Sequence, residues 1–475
     1  MDRRIERPKN PRLLAYAATV LALFVMFMVW QVNFYLFNSI KSTYYMVIVP
    51  VLVAGTLYFK GFKNGPEYAL LLVYFGWFFC SRILNGDAAL VNDFDTLFDL
   101  SLMLPLFLLG IALDRDGRKR FLDWLSAIVG GYYFLLGIIC IVAFITRREY
   151  VNPITGGLLG IKSVESFDRI NILDINVCAT SFWFLMPLTL MIYEFFACRK
   201  KLWRVPIVLS ALVDFSVIAI TYTRSVKLSV SFCIALLAVL LVFEYVKIKK
   251  RTVQALLLAA VFAAAAPLTY KSFDLVANGL GHVSDAVLAA EAPESAAPVQ
   301  TAEPAAAEAA AEEEPAEAYV DPRGWNGDLN SFSSGRMEIY GAAITTIQRN
   351  PSILLKGCLV KDSMTVLDEV LTRSQPHFHN FLIQVLILTG IPGLLAILAL
   401  CLLLAVKAIR LFFSAAEPAE ISAKVLVLPV AGSLLYSMFE ANLFTATDIR
   451  PLFFYLMSGM LLGFYYDVFP RKASK

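Results

Sequence analysis

Apolar runs of about 20 residues recur along most of this chain, the length a helix needs to cross roughly 30 Å of hydrocarbon. About twelve such runs stand out, at residues 13–31, 42–59, 66–81, 97–113, 121–146, 175–195, 205–222, 226–246, 253–270, 380–406, 425–441 and 451–468. In lipid every backbone N–H and C=O must be satisfied within the protein, so a chain patterned this way is confined to an all-α polytopic membrane fold. The composition agrees, with 59% hydrophobic and 17% charged residues. Residues 1–12 are basic and lead into the first run without a small-residue cleavage site, which reads as a retained first span. The third and fourth runs are separated by the polar residues 82–95, the seventh and eighth only by Tyr222-Thr223-Arg224-Ser225.

Lysine and arginine set the direction of threading. With both termini cytoplasmic, the cytoplasmic segments carry about 25 of the 41 Lys and Arg. Among them are Arg115-Asp116-Gly117-Arg118-Lys119-Arg120, Arg199-Lys200-Lys201 and Lys249-Lys250-Arg251. The alternate connections are acidic, mixed or very short. A missed span would break this alternation, so it supports the count as well as the orientation. The net charge of +3 follows from this topology and gives no reason to expect nucleic acid.

Three regions result. Residues 1–270 hold spans one to nine, residues 271–378 form one large extracytoplasmic loop between spans nine and ten, and residues 379–475 hold the last three spans. Within the loop, residues 284–322 are an acidic Ala/Glu/Pro tract without the aromatic and branched residues of a core, expected to act as a flexible spacer. Residues 324–378 regain apolar content and are expected to be partly helical. Of seven cysteines, Cys358 alone lies clearly within the loop, so no disulfide framework forms there.

A helix is expected from Arg336, with Ser333 or Ser334 as its cap, Ile339, Ala342, Ala343 and Ile347 on one face, and Asn350-Pro351 as the stop. Arg336 then sits at a helix N-terminus, where the dipole already favours an anion. An arginine there is costly unless a phosphate or a carboxylate lies nearby.

Arg224 occupies a connection too short to leave the membrane surface, with Lys227 one turn further on. It can snorkel to outer headgroups. Alternatively Thr221, Tyr222, Thr223 and Ser225 make it a polar mouth suited to a diphosphate. His377 and His379 are two of only three histidines, at the end of the loop. Surface histidines without a role, a metal pair completed by an acid, and acid/base chemistry are all open. Spacing i, i+2 on a helix points two rings apart, which disfavours the metal pair, and no metal is expected. Asn380 is expected to cap the tenth span. Asp214 is the one carboxylate placed near mid-membrane, where pairing within the bundle and a functional role stand equally open. Asp87, Asp93, Asp95, Asp99, Asp174 and Glu440 fall at outer ends of spans.

Three segments together resemble the O-antigen ligase and O-antigen polymerase superfamily of membrane glycosyltransferases. They are Thr221-Tyr222-Thr223-Arg224-Ser225, then Ser334-Gly335-Arg336 with Tyr340 and Asn350-Pro351, and His379-Asn380-Phe381-Leu382 continued by Gly390-Ile391-Pro392-Gly393-Leu394. Asp174-Ile175-Asn176 with Ala179 is a weaker match. The chain departs from the family pattern in Thr223, in Leu388-Thr389 and in the acidic tract.

The resemblance implies a GT-C-like arrangement in a bacterial cytoplasmic membrane. It implies transfer of a glycan from undecaprenyl diphosphate to a hydroxyl of a glycan, lipid or protein acceptor on the outer face, without a cofactor. In that reading Arg224, Arg336 and His379 are catalytic. Asn380, Lys227, His377 and Asn176 join Arg224 and Arg336 in binding substrate, and Asp174 is a reserve base. His379 either takes the acceptor proton or hydrogen-bonds the phosphate. Polymerisation of repeat units uses the same chemistry, and a polysaccharide or lipid transporter or flippase is the rival from another class.

Overall fold

The computed structural model describes residues 11–32, 65–86, 94–151, 158–164, 167–172, 177–246, 248, 250–291, 335–359, 362, 371, 377–414, 421–440 and 449–470. The expected run at 42–59, Asp174, Asn176, Ser333 and Ser334, and residues 292–322 of the acidic tract lie outside them. Within them, the expected apolar runs are helical. These are α1 (Pro11–Val32), α2 (Pro66–Leu84), α3 (Phe94–Ala112), α4 (Arg115–Thr146), α5 (Val177–Ala197), α6 (Arg204–Ile220), α7 (Arg224–Tyr245) and α8 (Arg251–Glu291). In the loop region α9 (Arg336–Arg349) and the short α10 (Ile353–Lys356) follow, then α11 (Phe381–Phe412), α12 (Ile421–Val425), α13 (Val427–Ser437) and α14 (Ile449–Val468). Seven helices among the described residues are long and apolar enough to cross a membrane. The molecule is an all-α polytopic membrane protein at this level.

Two features differ from expectation. Residues 150–172 form a small antiparallel sheet in the order β1 (Tyr150–Val151), β2 (Leu158–Val164), β3 (Phe167–Ile172), with Gly160 opposite Asn171. Leu159 and Ile170 are buried beneath it. Second, the helix of the ninth apolar run does not stop near residue 270: α8 continues through 41 residues to Glu291. At 1.5 Å per residue it is about 60 Å long, twice the hydrocarbon thickness. Its far end is tied to the end of α4, where Arg147 pairs with Asp285 at 3.1 Å.

Helices α3 and α14 meet backbone to backbone. A methyl group at Gly110 would lie 2.2 Å from the Gly459 carbonyl carbon, and Gly459 and Gly463 are four residues apart on one face. Such small-residue spacing lets helices approach closely where lipid gives no hydrophobic drive.

At one end of the bundle, buried ion pairs join the helices. Lys407 of α11 pairs with Glu67 at the start of α2, and Tyr466 of α14 donates to the same carboxylate at 3.0 Å. Arg118 pairs with Asp467, and Lys424 pairs with Glu244. The other end carries the candidate site.

Helix α11 is broken where it serves that end. Gly390 adopts φ 68° and ψ −172°, splitting Phe381–Phe412 into two segments. The break frees carbonyls that other elements satisfy. Arg82 and Ser81 of α2 donate to the Leu388 carbonyl, Trp77 Nε1 donates to Thr389 O at 2.6 Å, and Arg82 also reaches Cys358 O at 2.6 Å. Non-helical backbone at membrane depth persists only where protein groups satisfy it in this way. The glycine is required, since a side chain at Gly390 would meet Leu355 O at 2.7 Å.

Candidate active site

The apolar face expected for α9 is real. Ile339, Ala342 and Ala343 pack with Ile353, Cys358, Phe378 and Ile387 in a cluster of their own. This packing fixes the start of α9 against the start of α11. The cap is not serine, however. Gly335 stands at the N-cap with φ 79° and makes no side-chain bond, so the turn is set by backbone freedom. Arg336 is the first helical residue. Its Nε donates to Phe439 O at 3.3 Å, and its Nη2 lies 3.5 Å from Glu440 Oε1.

Asn380 caps α11 as expected. Its Oδ1 accepts from the N–H groups of Leu382 (2.9 Å) and Ile383 (3.3 Å), while its Nδ2 donates to Met438 O at 3.1 Å. The cap therefore orients the helix and ties it to the segment that carries Glu440. Just before the cap, His379 takes a left-handed conformation (φ 49°), and Tyr340 of α9 donates to its carbonyl at 3.4 Å. Phe378 is fully buried and its N–H donates to Gln384 Oε1 at 3.1 Å, which anchors the turn.

That turn corrects the expectation of divergent rings. His377 and His379 precede the helix, so helical spacing does not govern them, and their centroids are 4.1 Å apart. Both face Glu440: His377 Nε2 and His379 Nδ1 each lie 3.4 Å from Oε2. Glu440 is only 1% exposed.

The two histidines are not equivalent. His377 Nδ1 accepts the His379 N–H at 3.1 Å, so its own proton belongs on Nε2, toward Glu440. Burial, and after it His379, push the His377 imidazole down to about 3 against the pull of Glu440, with Arg450 and Arg336 adding to the push. It is a neutral hydrogen-bond donor at ordinary pH. Burial alone drives the Glu440 carboxyl upward, but the hydrogen bond and charge of His379, with His377 and Arg450, outweigh it and hold Glu440 at about 2. His379 presents Nδ1 to Glu440, and a proton there leaves Nε2 as the nitrogen able to accept one.

Two residues here were not singled out by sequence reasoning. In sequence Glu440 is one of several acids at span ends, and Arg450 carries no motif of its own. Arg450 is the second residue of α14, is 7% exposed, and its Nη1 donates to the Tyr436 hydroxyl at 2.9 Å. Their signal is weak in one dimension: single charges flanking the link between the last two spans.

Arg224 begins α7 at the same end. The Thr223 hydroxyl does not cap the helix but shares a 2.7 Å hydrogen bond with Ser181. The adjoining Phe182 packs on Tyr436 at 4.6 Å between centroids. This chain of contacts links the start of α7 to Arg450 and the histidines. Lys227 turns aside, pairing with Asp274 of α8 at 3.0 Å and lying 4.9 Å over the Tyr222 ring. Asp214 is fully buried on α6 and outside the cluster. Asn176 and Asp174 are not among the described residues.

Helices α7, α9, α11 and α14 therefore all begin at this end, and the first or second residue of three of them is arginine. Helix N-termini and guanidiniums each favour a nearby anion. The ligand atoms of His377, His379 and Glu440 also lie within 4.8 Å of one another, a spacing that suits a metal ion. The histidines face Oε2 of Glu440, whereas Arg336 contacts Oε1.

Residues 207–398 match the family model described as O-Antigen ligase. The match takes in Arg224, Lys227, Arg336, His377, His379 and Asn380, and it ends before Tyr436, Glu440 and Arg450. No curated protein and no solved structure matches the chain.

Proposed function

With residues 207–398 in the O-antigen ligase and polymerase superfamily, we propose that the protein is a membrane glycosyltransferase. It moves a glycan from undecaprenyl diphosphate to an acceptor hydroxyl on the outer face of a bacterial cytoplasmic membrane. The observation that carries this reading is the gathering of Arg336, His377 and His379 around Glu440 where four helices begin.

In this mechanism the acceptor oxygen attacks the anomeric carbon and the bond from that carbon to the diphosphate oxygen breaks. The bonding pair leaves on the diphosphate, and the acceptor proton passes to His379 Nε2. Arg336 and Arg224 hold the growing negative charge, which fixed guanidiniums stabilise most where water is scarce. Glu440 orients His379 and stabilises the imidazolium formed. Asn380 and Tyr340 fix the turn that presents the ring. Lys227 supports the mouth through Asp274, and Asn176 remains a substrate-binding residue in the proposal. The guanidiniums take the place of a divalent cation, so the reaction proceeds without one.

Ligation of a finished chain is the favoured assignment, and polymerisation of repeat units differs only in the acceptor. Arg336→Ala and Arg224→Ala each abolish glycan transfer in cells while the protein stays in the membrane at normal level. Surface-glycan analysis beside membrane immunoblots checks this, and full activity in either variant removes that arginine from the mechanism.

A further inference from the structure

The site as it stands holds its own anion. Glu440 lies 3.5 Å from Arg336 and 3.4 Å from each histidine, in the place a phosphate oxygen would be drawn to. A donor diphosphate competes with Glu440 for Arg336, whose Nη2 lies 3.5 Å from the carboxylate. A carboxylate 1% exposed, left by its cation, pays a large desolvation penalty. A second cation is in place to meet it. The Glu440 N–H donates to the Tyr436 carbonyl at 3.1 Å, so the residue that holds Arg450 also holds the Glu440 backbone, and the Arg450 charge favours the ionised carboxylate. Arg450 is fixed from behind by the Tyr436 hydroxyl, whose ring is packed on Phe182. Tyr436 is itself 2% exposed. Arg450 is also the second residue of α14, where the helix dipole disfavours a cation unless an anion is near.

We propose that Arg450 and Tyr436 form a positioning pair that keeps Glu440 against the two histidines while Arg336 is released to the donor diphosphate. The inference rests on the donor-site reading above. It extends that site to a segment beyond the matched family domain, which ends at residue 398. Arg450 touches neither donor nor acceptor; it acts through Glu440. Without it, Glu440 competes harder for Arg336 and donor binding weakens. Neutralising Glu440 as well removes the competitor, so the double variant regains binding. A merely structural arginine predicts the reverse, with damage accumulating.

The test is the dissociation constant of inorganic diphosphate for the purified full-length chain in lipid nanodiscs, measured by calorimetry. Coupling between two ligands of one group is commonly 5–150-fold, so Arg450→Gln is expected to raise the constant about tenfold. Glu440→Gln/Arg450→Gln is expected to return to within about threefold of Glu440→Gln alone. Arg450→Lys keeps the charge and stays near wild type, and Tyr436→Phe shows a smaller loss; these two carry the test if Arg450→Gln does not fold. An unchanged constant in Arg450→Gln, or additive loss in the double variant, overturns the proposal. If Arg336→Gln binds diphosphate as wild type does, the donor-site reading itself falls. If Arg336→Gln loses binding and Arg450→Gln does not, only the positioning pair falls.

Discussion

His377 and His379 are the same side chain two positions apart, yet one backbone hydrogen bond separates their chemistry. The His379 N–H occupies His377 Nδ1, so protonating His377 sets a new N–H against an existing one. The imidazole is held near 3, first by burial and then by His379. Its ordinary value is near 6.5, so between these limits the unfolded chain binds the extra proton. Stability is therefore expected to fall as pH drops from about 6.5 toward 3. Glu440, held at about 2, adds a loss of the same sign as pH falls below its ordinary value of about 4.3. Thermal unfolding of the detergent-solubilised protein at constant ionic strength checks this. His377→Gln should flatten the upper part of the acid limb, and stabilisation on acidification contradicts the assignment. At this scale the sequence was partly legible. Arg336, His379 and Asn380 could be found because each adjoins a recognisable helix start. Glu440 and Arg450 could not, since an acid or a base beside a span is common, and their meeting with residues 377–379 is a long-range contact that no periodicity reveals.

The elements show the same division. Hydropathy located the described helices well, and the face of α9 followed from helical spacing. What it missed has physical causes. The extension of α8 past residue 270 is polar enough to end an apolar run, although its alanines still favour helix. The sheet at 150–172 is built from short strands whose pairing is a tertiary fact. The expected serine cap gave way to Gly335, because the chain enters α9 through a left-handed turn. The break in α11 is visible in sequence only as Gly390, Pro392 and Gly393 close together. Gly390→Ala combines a positive φ with a contact to Leu355 O, and such strain costs about 1–3 kcal/mol. A lower melting temperature together with weaker transfer is expected, measured on the same preparation. Wild-type stability would show that the break is not needed.

Over the whole molecule the charges are arranged asymmetrically. One end gathers helix N-termini, arginines and histidines; the other is fastened by buried ion pairs among α2, α4, α11 and α14. An alternating-access transporter concentrates ionisable groups and broken helices at a central site; this chain has a helix broken at Gly390 and a buried Asp214, but gathers its arginines and histidines at one end. A one-ended arrangement suits an enzyme served from one face. The fastened end should matter to stability and not to chemistry. Lys407→Met strands the buried Glu67, which typically costs about 3–5 kcal/mol when one partner of a buried pair is removed. Scanning fluorimetry should report that loss, while transfer per folded molecule well below the melting temperature stays at the wild-type level.

The central claim is that this end of the bundle makes a glycosidic bond at the expense of a diphosphate. Purified protein in liposomes, supplied with an undecaprenyl-diphosphate glycan and candidate acceptors in excess chelator, tests it through the mass of the product. An acceptor heavier by the donor glycan, stoichiometric release of undecaprenyl diphosphate, and loss of both in Arg336→Ala and His379→Ala are expected. Glycan crossing the membrane with no new bond, or transfer that stops when divalent ions are removed, would contradict this claim.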